Sequence, residues 1–446
     1  MEQNLTTGSP AKLILSFTLP LIAGNICQQL YIVIDTLIVG RTLGINALAA
    51  VGSTGSLMFL MIGFLIGMTT GFSIVTGQRY GANDKVGVRQ SVAACAILTI
   101  VSTIVLTGFG VGTARFSLEI MQTPPELIED AYQFIVVIYA GIGITMIFNM
   151  LSNLIRALGD SRTPLFFLVI ASVLNVGLEL LFILVFHMGI PGAALATVIA
   201  QAIAGFICVI YIIRYLPILK LQKSDWKWDT KVLWEHIRIG LPMGFQAAII
   251  AVGAIVLQVA LNHLGPDAIA AFAAAQKIDM IAIMPMMSFG MAMAAYTAQN
   301  YGANHIARIR KGVNQCVLMS VGFSIFIAGI NIFLGGWMTS FFVGADEVEV
   351  IALSQTYLNI NGAFYWILAL LFIYRYTLQG LGQSMVPTFA GIMELVMRVF
   401  AALVMAKMFG FAGVASASPL AWIGSAIPLI IAYYLTLNKL LRKSAT

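Results

Sequence analysis

Residues 76–83 read TGQRYGAN, and residues 297–304 read TAQNYGAN. Each segment closes a long apolar run, and the two begin 221 positions apart in a chain of 446 residues. A match at half the chain length predicts an internal repeat, as in many membrane proteins built from two similar halves. This pair of segments therefore sets the expected architecture.

Four further pairs of segments match in the same order around this one. They are LPLIAGN at 19 with LPMGFQA at 241, LGINALAA at 43 with LGPDAIAA at 264, LIRALGDSRTP ending at 164 with LQGLGQSMVP ending at 387, and GIPGAALA at 189 with GFAGVASA at 410. We predict an N-lobe at 1–220, a cytoplasmic linker at 221–238 and a C-lobe at 239–446. A duplicated channel or scaffold is the alternative interpretation.

The composition is that of a membrane protein. Hydrophobic residues make up 60% of the chain, charged residues only 9%, and the mean hydropathy is +0.95. A soluble domain carries about 25% charged residues. We predict an all-α polytopic protein with twelve transmembrane helices in two six-helix lobes, forming parallel repeats around a central cavity. The predicted spans are 13–39, 48–77, 90–113, 132–155, 164–187, 192–214, 239–262, 268–298, 312–335, 351–375, 387–407 and 413–437.

The basic residues predict the orientation. With the N-terminus inside, 19 of the 24 Lys and Arg residues fall on the cytoplasmic side, as the positive-inside rule requires. We expect both termini in the cytoplasm of a prokaryote, a multi-pass chain in the cell membrane, and a monomer. The net charge of +6 is then a topology signal, so no nucleic-acid partner is expected. The four cysteines form no CxxC pair, and we expect no zinc site and no cofactor.

Charged residues inside spans usually mark ion or substrate routes. In the N-lobe, Asp35 on span one, Glu179 on span five and Thr197 on span six fall about 7, 12 and 9 Å below the outer surface, at about 1.5 Å per residue. Asn175 precedes Glu179 by four residues and shares its helical face. Carboxylate, amide and hydroxyl oxygens suit Na⁺, and two close carboxylates can share a proton. We therefore predict a Na⁺ or H⁺ site; separate structural roles for these side chains are the alternative.

The C-lobe carries a different polar set. Glu394 and Arg398 are spaced to pair on one helix, which would make them a neutral structural pair. Lys277 and Asp279 could interact with Glu394 and Arg398 across the lobe or face the cavity. At the repeat offset, the position in the second half that is equivalent to Asp35 is Val256, Leu257 or Gln258. The acidic site is therefore not duplicated. Ion coupling is therefore expected in the N-lobe alone.

These features together resemble the multidrug and toxic compound extrusion (MATE) family, in its prokaryotic DinF-like and MepA-like branch. The resemblance rests on the LP starts of spans one and seven, the Q-x-Y-G-A-N ends of spans two and eight, and the LG…P entries to spans five and eleven. It implies a cation site at Asp35, Asn175, Glu179 and Thr197, and a helix bend at Pro20. Glu179 replaces the usual Asp. Gln258 is the nearest polar residue on span seven, where the NorM-like branch has an acid.

Three functions follow from these observations. The first is an antiporter that exports amphipathic, often cationic organic compounds by alternating access, using inward Na⁺ or H⁺. The second is a flippase or exporter of a lipid-linked or anionic metabolite, which would need a more basic cavity than Lys277 and Arg398 provide. The third is a membrane enzyme, which is disfavoured because the chain contains no HExxH, GxSxG or Walker A motif.

Overall fold

A computed structural model describes residues 4–444, which form helices and no β-strand. The helices are α1 (Pro10–Thr42), α2 (Ile45–Ser53), α3 (Gly55–Gly81), α4 (Lys85–Ile120), α5 (Ile128–Ala140), α6 (Ile142–Ala157), α7 (Arg162–Leu180), α8 (Gly189–Tyr215), α9 (Thr230–Asn262), α10 (Pro266–Gly302), α11 (Ile306–Val343), α12 (Val348–Gly362), α13 (Tyr365–Gly380), α14 (Met385–Phe400), α15 (Ala406–Phe409), α16 (Phe411–Ala415) and α17 (Ala417–Ser444). A π-helical turn follows α7 at Leu181–Val185 and another follows α14 at Ala401–Met405.

Ten of the described helical segments are long and apolar enough to cross a membrane. Two further spans are bent pairs: α5 with α6, at 47°, and α12 with α13, at 50°. These pairs cover the predicted spans 132–155 and 351–375, so the described chain contains up to twelve spans. The all-helical membrane fold predicted from the sequence is confirmed. Each bend falls at a glycine-containing junction, where the chain breaks regular helix.

The two halves repeat each other in backbone conformation as well as in sequence. Left-handed backbone, with positive φ, recurs at matching positions about 221 to 223 residues apart. The matching residues are Gly44 with Gly265, Asn83 with Asn304, Gly159 with Gly382, and Gly189 with Gly410. Such angles favour glycine and asparagine, which explains why these short turns are the best matched parts of the two halves.

The chain divides into two compact units. The first contains residues 20–244, and the second contains residues 5–19 with 245 onwards. The predicted linker 221–238 therefore lies inside the first unit, together with the first part of α9. The boundary of 1–220 and 239–446 drawn from the sequence differs at this point, because charge and composition do not show where α9 packs.

Glycines explain why the start of α9 belongs to the first unit. A Cβ atom added to Gly71 of α3 would lie 2.4 Å from the Cα of Gly240 on α9, and one added to Gly67 would lie 2.5 Å from the carbonyl oxygen of Met243. Gly67 and Gly71 are four residues apart, as are Gly240 and Gly244. Paired small residues at this spacing let two membrane helices meet backbone to backbone.

Candidate functional site

Three helices of the first unit bring polar side chains together. The amide Nδ2 of Asn175 on α7 donates to the hydroxyl of Thr197 on α8 over 2.9 Å. The hydroxyl of Tyr31 on α1 lies 3.2 Å from the same Thr197 oxygen. Thr197 thus joins α1 to α7 and α8, at the positions that the sequence predicts for a cation site.

Both predicted acids lie beside this junction. Glu179 is fully buried, and its carboxyl group lies close enough to that of Asp35 to interact with it. Asp35 itself is half-buried. Within the described part of the chain, the Asp35 carboxyl group is the one side chain that reaches the Glu179 carboxyl group, and the Oδ1 atom of Asn175 has no hydrogen-bond donor.

A buried acceptor without a donor is costly, and a buried charge without a partner costs more. The site therefore presents acceptor oxygens of Glu179 and Asn175 that receive no hydrogen bond from a neutral or basic side chain of the described residues. Oxygen atoms of these kinds bind hard cations. A proton on one carboxyl group, or a cation bound between them, would remove the imbalance.

Local structure places these side chains. Asn175 and Glu179 lie one helical turn apart on the buried face of α7. The chain then widens into the π-helical turn at Leu181–Val185 and reverses into α8 through Gly189, whose φ is +65°. Widened turns of this kind occur frequently at functional sites.

Tyr31 was missed by the sequence analysis. Charged groups stand out in an apolar span, whereas tyrosine is common in membrane helices without any special role. One signal was available, because Tyr31 precedes Asp35 by four residues and so shares its helical face.

Pro20 lies inside α1, fifteen residues before Asp35. The helix runs unbroken from Pro10 to Thr42 in this structure. Proline has no amide hydrogen, so the carbonyl oxygen of Ser16 lacks its usual helical bond at this point. The backbone of α1 is therefore weakest there, and the bend at Pro20 stays a prediction.

The C-lobe residues are arranged differently from the prediction. Glu394 does not pair with Arg398. Its carboxyl group instead accepts a hydrogen bond from Arg375 of α13, and Arg375 also donates to Ser425 over 3.0 Å. Arg375 is buried, although it is the last residue of the predicted span 351–375. The i, i+4 spacing of Glu394 and Arg398 permits a pair but does not require one. Glu394 pairs instead with Arg375 on another helix.

Arg398 packs along α9 instead. Its Cδ atom would lie 2.8 Å from a Cβ added to Gly253, so the missing side chain at Gly253 makes room for the arginine. Lys277 is exposed, and Gln258 is exposed and bonds to Asn262 over 2.9 Å. Neither residue joins a buried polar group in the described chain.

Asp279 is the buried acid of the second unit. The hydroxyl of Tyr357 donates to its Oδ2 atom over 3.0 Å, and the hydroxyl of Tyr365 donates to Oδ1. Asn331 donates in turn to the Tyr365 oxygen over 2.9 Å. Both carboxyl oxygens of Asp279 are thus satisfied, in contrast to those of Glu179. No three His, Cys, Asp or Glu side chains within residues 4–444 form a group that could hold a metal ion.

The MatE family model matches this chain twice, at residues 20–181 and 242–404. The chain belongs to the MATE family. The two matches correspond to the two halves of the repeat, and each begins at the proline of an LP pair. MATE proteins matched by this chain are transporters, and this chain is a membrane transporter and not an enzyme.

Named relatives agree with this assignment. The chain is 30% identical over 306 residues to the probable multidrug resistance protein YpnP of Bacillus subtilis, covering 69% of this chain and 68% of that protein. It is 22% identical over 413 residues to the multidrug export protein MepA of Staphylococcus aureus, covering 90% and 89%. An outward-facing multidrug resistance MATE transporter has the same fold, with a TM-score of 0.90, 21% identity and 98% of each chain covered.

Proposed function

We propose that this MATE protein is a cation-coupled antiporter that exports amphipathic, often cationic organic compounds by alternating access. Relatives named for multidrug resistance and multidrug export support the substrate class. The observation that carries the coupling is the buried Glu179 carboxyl group, which faces the Asp35 carboxyl group and has no other partner among the described side chains. We propose Na⁺ or H⁺ as the coupling ion.

The ion would enter at Asp35, the more accessible acid, and be held between Asp35 and Glu179. The oxygen atoms of Asn175 and Thr197 would complete its environment. Neutralising the pair removes the penalty of two carboxylates in a low-dielectric site. We propose that α1 then bends at Pro20, where its backbone lacks a hydrogen bond. Substrate leaves on the outer side, and the ion leaves on the cytoplasmic side.

Export of an anionic or lipid-linked compound is less favoured. Such a substrate requires an excess of buried positive charge. In the second unit, Arg375 is neutralised by Glu394, and Lys277 is an isolated exposed lysine. The described residues therefore offer no cluster of unpaired basic side chains inside a lobe.

Transport by reconstituted vesicles tests the proposal. Efflux of a fluorescent organic cation is measured under imposed Na⁺ or H⁺ gradients for the wild type, Asp35→Asn and Glu179→Gln. We expect each variant to lose gradient-driven efflux. Glu119→Gln is the matched control, because Glu119 is an exposed acid paired only with Arg115 at 3.7 Å. Wild-type efflux by both N-lobe variants would exclude coupling at this site.

A further inference from the structure

An apolar cavity of about 450 Å³ lies in the first unit among α4, α6, α8 and the segment that follows α8. Along α4 its lining runs from Val92 to Ile100, about 12 Å of helix. Among the described residues, its polar lining side chains are Thr99 and Lys220. An apolar space of this size and lining suits a hydrocarbon chain more than a compact polar ligand.

Lys220 is the one charged residue of the lining, and it is exposed. It follows the short 3₁₀ turn Pro217–Leu219, between Leu219 and Leu221, which both line the cavity. No described carboxylate pairs with it. A positive charge at this position disfavours an organic cation and favours a ligand with an anionic head and an apolar tail.

The acids in the segment 220–238, which runs from Lys220 into the start of α9, already have hydrogen-bond or ion-pair partners. Asp225 pairs with Arg89 at 3.4 Å, and Glu235 pairs with Arg79 at 2.7 Å. Asp229 accepts the amide hydrogens of the first turn of α9. Each acid therefore already has a partner within the protein. The exposed lysines of the segment have no carboxylate partner among the described residues; they are Lys220, Lys223, Lys227 and Lys231.

Three tryptophans accompany these lysines. Trp226, Trp228 and Trp234 are 50%, 70% and 61% exposed. Exposed tryptophans next to a membrane span are typical of the interface between lipid head groups and hydrocarbon. Interspersed lysines there attract anionic lipids, at about 1 kcal/mol for each basic residue near the surface. These tryptophans and lysines favour a position of Lys220 near the lipid head groups.

We propose that this cavity binds one acyl chain of an anionic phospholipid, whose phosphate pairs with Lys220. The apolar walls on α4, α6 and α8 take the chain, and the tryptophans hold the segment at the interface. This site is separate from the residues assigned to ion coupling. Its occupancy does not depend on whether transport is driven by Na⁺ or H⁺.

Native mass spectrometry of delipidated protein tests the site. Phosphatidylglycerol and phosphatidylcholine with identical chains are titrated separately. We expect the wild type to bind phosphatidylglycerol about fivefold more tightly, the factor expected for one lysine. Lys220→Gln should remove the preference, and Lys220→Glu should reverse it. Lys439→Gln is the matched control, because Lys439 is an exposed lysine of α17 that does not line the cavity.

A second pair of variants tests the acyl chain. Ala96→Phe fills the cavity and should weaken binding of both lipids, whereas Ala202→Phe places the same side chain on α8 away from the lining. Thermal unfolding confirms that each variant is folded, and the exposed Lys220 variants decide the outcome if Ala96→Phe unfolds. Equal affinity of the wild type for the two lipids would overturn the proposal. Displacement of the lipid by soluble glycerol phosphate would also overturn it, since that result assigns binding to the head group alone.

Discussion

The hydroxyl of Tyr31 and the hydroxyl of Thr197 lie 3.2 Å apart, joining span one to span six one helical turn from Asp35. Thr197 also receives the amide of Asn175. The hydroxyl oxygen of Thr197 therefore contacts side chains of two other helices. Any change in the position of α1 at this level must alter the contact that Tyr31 makes.

Tyr31→Phe removes that contact and leaves the ring in place. A hydrogen bond of this kind contributes about 1 kcal/mol, so we expect the half-saturating concentration of the coupling ion to rise about fivefold. Tyr215→Phe is the control, since Tyr215 is exposed at the end of α8. The measurement is efflux rate against ion concentration. An unchanged half-saturation would show that Tyr31 does not contribute to the ion site.

Asp279→Asn should destabilise the second unit. The aspartate accepts from both Tyr357 and Tyr365, whereas an asparagine offers one acceptor and leaves one tyrosine hydroxyl facing an amide donor. An unsatisfied buried group costs about 1–3 kcal/mol. Thermal unfolding in detergent should show the loss, and Asp346→Asn, at an exposed loop residue, should not. Combining Asp279→Asn with Tyr357→Phe should cost less than the sum of the single changes.

Removing one partner of the buried pair of Arg375 and Glu394 should destabilise the protein much more than removing one partner of a surface pair. Arg375→Leu leaves a buried unpaired carboxylate and should cost about 3–5 kcal/mol. The double change Arg375→Leu with Glu394→Leu should recover most of that loss. Arg115→Leu provides the comparison, because Arg115 pairs with exposed acids at 3.5 and 3.7 Å and should cost below about 1 kcal/mol. Equal decreases in the unfolding midpoint for Arg375→Leu and Arg115→Leu would contradict the assignment.

Gly71→Ala should disrupt the packing of α3 on the start of α9. The added methyl group would lie 2.4 Å from the Cα of Gly240, so the two backbones must separate. Overpacking of this kind costs about 1–3 kcal/mol or more. Gly108→Ala is the control, since a Cβ at Gly108 of α4 meets open space and alanine favours helix. The prediction fails if both variants unfold at the wild-type temperature.

The sequence predicted the fold because the signals for it are strong and local. Apolar runs separated by polar loops mark the spans, and Gly44 and Gly265, which both have positive φ, form the same turn in each half. The bends within spans four and ten were not predicted. They depend on how a short break packs against neighbouring helices, which the order of residues does not reveal.

Of the site, the sequence identified the side chains that carry charge. Asp35 and Glu179 stand out because carboxylates are rare in membrane spans, and Asn175 follows from its spacing on α7. Tyr31 and the two tyrosines around Asp279 were missed, since an aromatic hydroxyl has no distinctive pattern in an apolar helix. The Glu394 partner was wrong because pairing across helices depends on packing, and Arg375 lies buried rather than at the membrane edge.

The position of the segment at 221–229 has a practical consequence. It connects α8 to the start of α9, and both of these belong to the same compact unit. The glycine contacts of Gly71 and Gly240 hold the start of α9 there by packing. Proteolytic cleavage in this exposed segment should therefore break the chain without unfolding the unit. The transporter should also assemble from two separately expressed fragments, divided after Lys227.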